Sequence, residues 1–283
     1  MIQIRTRIGR RYFLGASLAG LTWAAAGCGG GSSGSGGGRS ERLEQYVAGS
    51  VSIAETEYIR GSDWIDGAGP AHTVRVSAFR VASNLVTVGL WREYLKSVGG
   101  SLPAEPLFGW VDENPMTGVS WRDIAGVDGT GGFIGWVRRT TGVAAALPSE
   151  AQWECVARDK QTDRDYPWGD QYDDTKLWSS VFVEREGPAP VNRTGNIHVT
   201  SQGVRDLVGN VFEFCRDNYG PYDTQIVKDP VGTVGADRAI RGGGWSNVSP
   251  DDFRIAWRVW SPVDERSDSI GFRLVFPASV PAA

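Results

Sequence analysis

The sequence predicts an α+β domain that is rich in loops and low in regular secondary structure. The 283-residue chain contains 12 Trp and 38 Gly, and its apolar runs are short. Tryptophan rings bury large areas and glycines permit tight backbone turns, so this composition is typical of irregular loops held in place by aromatic rings. Both helix-like and strand-like patterns occur along the chain, which indicates a mixed fold.

Local patterns justify the elements in the first half of the chain. Residues 73–79 alternate between apolar and polar side chains, as a strand does. Residues 88–98 predict a helix that ends at Gly99, because one face carries Trp91, Tyr94, Leu95 and Val98.

Two further helices are predicted before residue 160. One begins after Ser120, is interrupted over residues 126–132 and resumes over residues 133–141. The other is preceded by Ser149, which together with Gln152 forms a capping box. Short strands and loops are expected from there to the C-terminus.

The N-terminus predicts export from the cytoplasm. Arg10 and Arg11 precede Tyr-Phe-Leu and an uncharged stretch to Gly27, the pattern of a twin-arginine signal peptide. That stretch is too short to span a bilayer comfortably. Small residues precede Cys28, as in a bacterial lipobox, although Ala25 stands where Leu is usual. We therefore expect a lipid on Cys28 that anchors the protein to a membrane, in the periplasm or at the cell surface. An uncleaved anchor helix would also place the domain outside the cytoplasm.

The predicted domain boundaries follow from this interpretation. Residues 1–27 are assigned to the signal peptide. Residues 28–45 contain the lipidated cysteine and a tether, since residues 29–38 are almost entirely Gly and Ser. Residues 46–283 are assigned to one globular domain.

The charge balance argues against nucleic acid as a partner. The chain has 29 Lys and Arg against 33 Asp and Glu, and residues 1–27 contain four of the arginines and no acid. The mature chain would therefore have 25 basic against 33 acidic side chains, a net charge of about −8. Phosphate binding requires the opposite sign.

Cys155 and Cys215 are the only cysteines besides Cys28. Export permits a disulfide between them, but two buried thiols are the simpler interpretation.

The last forty residues contain the most informative pattern. Arg241-Gly-Gly-Gly-Trp opens this segment and Ile270-Gly-Phe-Arg-Leu closes it. Five arginines recur there among apolar residues, namely Arg241, Arg254, Arg258, Arg266 and Arg273. Buried guanidinium groups are costly unless they are paired, so the arginines predict an ion-paired scaffold that holds a loop surface.

Six motifs in the same order resemble the formylglycine-generating enzyme, or sulfatase-modifying factor, superfamily. They are Gly61 with the strand that starts at His72, residues 119–123, 147–154, 166–170 and 207–214, and the Arg-Gly-Gly to Ile-Gly-Phe-Arg ending. The match runs from about residue 58 to residue 276. The resemblance implies a C-type-lectin-like, sulfatase-modifying-factor-type fold.

The resemblance also bears on activity. Formylglycine-generating enzymes use two cysteines after Arg-Gly-Gly-x-Trp to bind copper and oxidise a substrate cysteine. Residues 246–253 contain no cysteine, and no other side chain readily replaces a thiolate on this soft metal. We therefore expect neither copper nor formylglycine generation. The related sulfoxide synthases need three histidines around iron, whereas this chain has only His72 and His198.

The first of two remaining interpretations is a ligand-binding display protein. Some members of the superfamily are variable proteins of diversity-generating retroelements, in which adenine-directed mutagenesis rewrites the segment between the two motifs and creates a binding face. Trp257, Trp260 and Glu265 cannot arise from an Asn codon by adenine substitution, whereas the other predicted contact residues can. The predicted contacts, for an unidentified protein or cell-surface ligand, are Asn247, Val248, Ser249, Asp251, Asp252, Phe253, Ile255, Trp257, Val259, Trp260, Ser261, Asp264 and Asp268.

The second interpretation is an extracytoplasmic oxidase of the pyoverdine-maturation type, a relative that also lacks the cysteine pair. Its chemistry would need a positioned acid or base, for which the candidates are Glu213, Asp217, Asp251 and Asp252. A carboxylate beside several arginines is more often part of a structural ion pair, so ligand binding is the preferred hypothesis.

The resemblance further implies a structural Ca²⁺ ion. In the superfamily, the turn that contains Val-Gly-Asn binds calcium through side-chain and backbone oxygens. The corresponding positions here are Asp206, Gly209, Val211 and Glu213. Carboxylate and carbonyl oxygens are the ligands that Ca²⁺ prefers. The alternative is that Asp206 and Glu213 bond to loop amides without a metal.

Overall fold

The structure is a computed structural model that describes residues 40–159 and 164–279. The predicted signal peptide, Cys28 and the Gly/Ser-rich stretch lie outside the described residues. Helix α1, Glu41–Ala48, begins inside the predicted tether. Its N-cap Ser40 accepts a hydrogen bond from the Leu43 amide, and Leu43 is fully buried in the core. The predicted boundary at residue 46 is therefore too late.

The described elements are short and separated by long loops. The helices after α1 are α2 Val88–Val98, α3 Trp121–Ala125, α4 Gly132–Thr141 and α5 Glu150–Arg158. The strands are β1 Ser50–Ile53, β2 Thr56–Arg60, β3 His72–Val76, β4 Phe79–Ala82, β5 Phe212–Asn218, β6 Arg238–Arg241, β7 Arg258–Ser261, β8 Ile270–Gly271 and β9 Val275–Pro277. Single 3-10 turns occur at Asp174–Lys176 and Pro250–Phe253. The predicted α+β fold with little regular structure is confirmed.

The strands form three small sheets. The sheet order is β1-β4-β9 in the first, β2-β3 in the second and β7-β6-β5-β8 in the third. All pairs are antiparallel except β5 with β8. The third sheet unites the 207–214 motif with both ends of the C-terminal segment, because β6 ends at Arg241 and β8 begins at Ile270.

Aromatic rings fill much of the core between these sheets and the helices. Trp91 of α2 stacks on Phe133 of α4, with 5.1 Å between ring centroids. Phe272 meets both rings edge-on at 5.9 and 5.5 Å. Edge-to-face and stacked contacts at these distances stabilise packing beyond the area that they bury. Aromatic rings also hold loops as predicted, since Tyr166 stacks on Trp168 with 5.5 Å between ring centroids and meets Tyr172 edge-on at 5.8 Å.

Most local predictions are also confirmed. Helix α2 has the predicted bounds, and Gly99 ends it in the left-handed conformation. Val98, however, is half exposed, so the buried face of α2 ends before it. The Ser149–Gln152 capping box precedes α5. Strand β3 ends at Val76 because the Ser77 amide and hydroxyl both donate to Asp229.

None of the helices in the described ranges is both long enough and apolar enough to cross a bilayer.

Candidate ligand-binding cleft

A buried network of arginines and glutamates supports the C-terminal segment. Arg241 of β6 is fully buried and donates to Glu150 at 3.0 Å and to Glu154 at 2.9 Å. Arg258 of β7 donates to both carboxylate oxygens of Glu150. Buried charges are tolerated when they are paired in this way. Since Arg273 is likewise buried against Glu213, the predicted ion-paired scaffold is confirmed for these three arginines.

The other two arginines of the segment lie nearer the surface. The Arg254 side chain is 30% exposed and bonds to Asp165 and Asp251. The Arg266 side chain is 52% exposed and donates to Asp123 at 2.8 Å. Both form ion pairs as predicted, but neither is buried, because their carboxylate partners are themselves exposed to solvent.

Two glycines turn the chain out of β6 into the segment. Gly242 and Gly243 have φ angles of 96° and 70°, a region that residues with a side chain rarely adopt. A Cβ atom on Gly242 would lie 2.5 Å from the Leu207 carbonyl oxygen, and one on Gly243 would lie 2.6 Å from the Phe253 ring. Both glycines therefore allow the segment to start in close contact with the core.

Three predicted contact residues are buried. Phe253 and Ile255 have no exposed surface, and Ser261 is 3% exposed. Phe253 packs in the core with Tyr172 and faces Gly243. These residues cannot touch a ligand in this arrangement, so their assignment to the binding face is wrong.

Other predicted contact residues bond to the protein itself. The Asn247 side chain accepts from the Gly244 amide at 2.9 Å and donates to Asp252 at 2.7 Å. The Ser249 hydroxyl caps the following 3-10 turn, and Asp264 forms an ion pair with Arg122. These polar groups shape the loop.

The remaining predicted contacts are accessible to different degrees. Val248 and Asp268 are exposed, while Trp257, Val259 and Trp260 are partly buried. Trp257 and Val259 pack against the core, and the Trp257 ring lies 5.9 Å from that of Phe212. Trp257 has one side on the core and also lines the cleft described next.

A surface cleft with a volume of about 810 Å³ includes part of the C-terminal segment in its lining. Its lining comes from the end of β2 and the β2–β3 connection, from Arg158 of α5, from residues 164–170 and from part of the C-terminal segment. The C-terminal segment contributes Asp251, Arg254, Ala256 and Trp257. The predicted face and the cleft therefore share Asp251 and Trp257.

The walls of the cleft combine aromatic, acidic and basic groups. Trp64 is 93% exposed at its edge and belongs, like Trp257, to the lining. Five aspartates also line the cleft, namely Asp63, Asp66, Asp165, Asp170 and Asp251, together with Arg158, Arg164 and Arg254. Arg254 links Asp165 to Asp251, and Arg158 pairs with Glu154 at 2.7 Å. A concave site with aromatic surface and converging polar groups has the usual character of a ligand pocket.

The four acid–base candidates occupy different environments. Glu213 and Asp217 are fully buried, and burial raises the pKa of both carboxyls. Glu213 is held by Arg273, while Asp217 accepts from the Glu150 and Gly232 amides. Asp252 is partly buried against Asn247, and burial raises its pKa. Of the four, Asp251 alone lines the cleft, where Arg254 engages it.

The predicted calcium ligands do not form an open carboxylate site. Both Asp206 oxygens accept from Arg193, and both Glu213 oxygens accept from Arg273 at 2.7 and 2.8 Å. A guanidinium thus already neutralises each carboxylate, and Ca²⁺ needs those oxygens free. The Gly209 amide donates to the Gly242 carbonyl, and Val211 is fully buried. In the described part of the chain, no group of three or more His, Cys, Asp or Glu is placed to hold a metal.

The two described cysteines are both buried free thiols. Burial raises the pKa of Cys155 to about 11 and raises that of Cys215 as well. The simpler interpretation of two buried thiols is therefore confirmed, and neither thiol has the lowered pKa of a reactive cysteine.

The cleft also contains residues that the sequence analysis did not identify. Trp64 stands in Ser-Asp-Trp-Ile-Asp-Gly, where four of the five neighbours are polar or small. That composition is typical of a loop, and an aromatic ring in a loop is a candidate contact residue. Arg164 and Asp165 could not have been assigned, because nothing local indicates that they line a cleft together with Arg254.

Comparison with curated proteins shows enzymes and an inactive relative at similar identity. The chain is 28% identical over 255 residues to the formylglycine-generating enzyme of Streptomyces coelicolor, covering 74% of this chain and 81% of that protein. It is 27% identical over 217 residues to the inactive C-alpha-formylglycine-generating enzyme 2 of Mus musculus, covering 71% of this chain and 62% of the mouse protein.

Solved structures and family membership complete the comparison. The structure of PvdO from Pseudomonas aeruginosa superposes on this chain with a TM-score of 0.66 and is 22% identical in sequence. Treponema denticola variable protein 1 superposes with a TM-score of 0.65 and is 20% identical. Each comparison covers 81% of this chain and 94% of the other, and at these identities both show a shared fold. Residues 38–278 match the sulfatase-modifying factor enzyme 1-like domain. The chain therefore belongs to the family of sulfatase-modifying factor enzyme 1-like domains, the formylglycine-generating enzyme superfamily.

Proposed function

We propose that the protein is an exported, lipid-anchored ligand-binding protein whose binding site is the cleft between Trp64 and Trp257. The observation that carries this proposal is the cleft itself, which Asp251, Arg254 and Trp257 of the C-terminal segment line together with residues of the β2–β3 connection. Aromatic side chains supply much of the binding energy at contact sites, and the surrounding aspartates and arginines supply polar selectivity.

The absence of thiols from the segment argues against copper-dependent formylglycine generation. Residues 241–273 contain no cysteine, and the two described cysteines are buried elsewhere. Of the acid–base candidates, only Asp251 lines the cleft, where it is held in an ion pair with Arg254. The oxidase alternative is supported by the fold that the chain shares with PvdO.

The test is a ligand screen with matched variants. The purified domain is screened against a glycan array and against a soluble metabolite library by thermal shift. We expect a compound that raises the melting temperature of the wild type, because a ligand of the folded state stabilises it. Trp64→Ala should lower the affinity for that compound by about tenfold or more. It should not change the fold, since Trp64 is 93% exposed.

Leu107→Ala is the control, because Leu107 is fully exposed and does not line the cleft. It should leave both stability and binding unchanged. Equal binding by Trp64→Ala and wild type would place the ligand elsewhere. Turnover of a sulfatase-type cysteine peptide, with or without copper, would contradict a binding function.

A genomic observation tests diversification separately. A near-copy of the coding segment for residues 240–273 that differs only at adenines, beside a reverse transcriptase gene, would support a variable protein. A locus without such a copy would favour a fixed binding module or an enzyme.

A further inference from the structure

A smaller cavity lies between the first sheet and the segment that joins α4 to α5. Its volume is about 300 Å³, which suits a small molecule. Strand β9 contributes residues 275–277, and the α4–α5 connection contributes residues 144–146. Mutual backbone hydrogen bonds of 3.0 and 2.8 Å between Ala146 and Val275 join these two segments. None of the residues that line this cavity lines the cleft of the proposed function.

Apolar side chains make up much of the wall of this cavity. Ala78, Ala144 and Pro277 line it and are exposed. Phe79 and Phe276 also line it, although each is only 3% exposed. Apolar walls with a few polar groups that fix orientation are the usual composition of a small-molecule site. The cavity therefore offers a surface for the apolar part of a ligand.

Two arginines line the same cavity and keep N–H groups available. Arg138 of α4 donates through Nε to the Ala145 carbonyl at 2.8 Å, and its two terminal nitrogens have no acceptor among the described residues. Arg216 of β5 is exposed, and in the described part of the chain no acceptor bonds to its guanidinium. The Arg216 backbone amide donates to the Pro148 carbonyl at 2.8 Å, which holds this position of β5 beside the α4–α5 connection.

The side-chain acceptors of the cavity are already engaged. Asp229 is the one acid among the described residues that line it, and its two oxygens accept from the Ser77 amide and hydroxyl at 2.7 Å each. Ser149 Oγ and Gln152 Oε1 accept from backbone amides in the capping box of α5. Two arginines against one aspartate give the lining a net charge of +1, on a chain whose net charge is −4. The cavity therefore has an excess of donors and of positive charge.

We propose that this cavity, called here the Arg138–Arg216 pocket, binds a small organic monocarboxylate. The carboxylate accepts hydrogen bonds from the two guanidinium groups, whose planar forks match carboxylate geometry. The apolar body of the ligand packs against Ala144 and Pro277. A single negative charge balances the net charge of the lining, whereas a phosphate dianion would leave charge uncompensated. This site does not depend on the proposed function of the cleft.

Isothermal titration calorimetry of the purified protein tests the proposal. The probes are phenylacetate and hexanoate, the uncharged analogue phenylacetamide, and inorganic phosphate. We expect both carboxylates to bind. Phenylacetamide should bind about tenfold or more weakly than phenylacetate, because the hydrogen bonds to an ionised acceptor are lost. Arg216→Gln should lower the affinity for phenylacetate by a similar factor. The fold of this variant should be unchanged, since the Arg216 side chain is exposed.

The matched control is Arg139→Gln. Arg139 is exposed on the same helix as Arg138 but does not line the pocket. This variant loses the same charge as Arg216→Gln, so its affinity for phenylacetate should stay within about twofold of the wild type at physiological salt. Ala144→Phe is a second variant, which retains both arginines and places a ring in the space for the apolar body. It should also lower the affinity for phenylacetate.

Several outcomes would overturn the proposal. One is that neither carboxylate binds the wild type, and another is that phenylacetamide binds as tightly as phenylacetate. Equal losses in Arg139→Gln and Arg216→Gln would show that the attraction is a general effect of charge and not a bond made in the pocket. Inorganic phosphate that binds as tightly as phenylacetate, and is lost in Arg216→Gln, would replace the organic carboxylate by an inorganic anion.

Discussion

Arg254 and Arg258 show how strongly the role of a residue depends on where its side chain ends. Both belong to the same arginine-rich segment, four positions apart. Arg258 is 4% exposed and donates to both oxygens of Glu150, whereas Arg254 bonds to carboxylates on the surface. In the interior, removal of one partner leaves the other charge unpaired in a medium that solvates it poorly. At the surface, water replaces the lost partner.

The first prediction compares Arg258→Ala with Arg254→Ala. Arg258→Ala should lower the free energy of unfolding by about 3 kcal/mol or more, because Glu150 would lose a buried partner. Arg254→Ala should cost about 1 kcal/mol or less. Urea unfolding of both variants measures the difference. Equal losses would mean that the surface ion pairs of Arg254 matter as much as the buried network.

The second prediction concerns pH and Asp217. Burial and the neighbouring Glu150 charge raise the pKa of Asp217 to about 6. The folded state therefore holds this proton more tightly than the unfolded state, in which an aspartate has a pKa of about 4. The stability that Asp217 contributes is present below pH 4 and is lost as the pH rises to about 6.

Asp217→Asn should remove that part of the pH dependence. The variant stays neutral at every pH, so its free energy of unfolding should vary less between about pH 4 and pH 7 than that of the wild type. Glu150 acts in the opposite direction at lower pH, because arginines lower its pKa to about 2 despite burial. Urea unfolding across this range tests the prediction, and identical pH profiles would contradict it.

At the scale of elements, the predictable parts are those that local sequence determines. Helices α2 and α5 were predicted because their caps and buried residues lie within a few positions. The parallel pairing of β8 with β5 could not be predicted. It involves only two residue pairs, and the two strands are more than fifty positions apart in the sequence. Helix α1 shows the converse: Ser40 caps it locally, but the adjoining Gly/Ser stretch obscures the start of the domain in the sequence.

The third prediction concerns the turn between Asp206 and β5. The resemblance predicts Ca²⁺ there, whereas Arg193 and Arg273 already hold the two carboxylates. We therefore expect EDTA to leave the melting temperature unchanged. Glu213→Gln should lower it in the presence or absence of calcium, because Arg273 would lose its buried charge partner. A melting temperature that rises with calcium, and only when Glu213 is intact, would restore the calcium prediction.

At the scale of the whole molecule, the cleft depends on parts that are distant in sequence. Ile255 donates its amide to the Asp165 carbonyl at 2.6 Å, and this contact brings the 164–170 loop to the C-terminal segment. The segment itself was identified from its own residues, and so was Trp257. The position of Trp257 in the same cleft as Trp64 depends on tertiary contacts that no local pattern encodes. Because no local pattern shows which side chains of the segment turn inward, the sequence places Phe253 and Ile255 on the surface, although both are buried.

The last prediction tests how the molecule reaches its place of action. The export machinery recognises the arginine pair, so changing Arg10 and Arg11 together to Lys should leave the precursor in the cytoplasm. Arg7→Lys is the matched control, because Arg7 lies in the same basic region but outside the pair.

Cys28→Ala completes this test by removing the predicted lipidation site. The variant should lose labelling with a radioactive fatty acid and should leave the membrane fraction or remain unprocessed, because the lipid is its expected attachment. Cell fractionation with immunoblotting follows all three variants. Cys28→Ala protein that is still acylated and still sediments with membranes would contradict the anchor. An Arg10, Arg11 variant that is exported like the wild type would contradict the twin-arginine route while leaving the lipid assignment to the Cys28→Ala result.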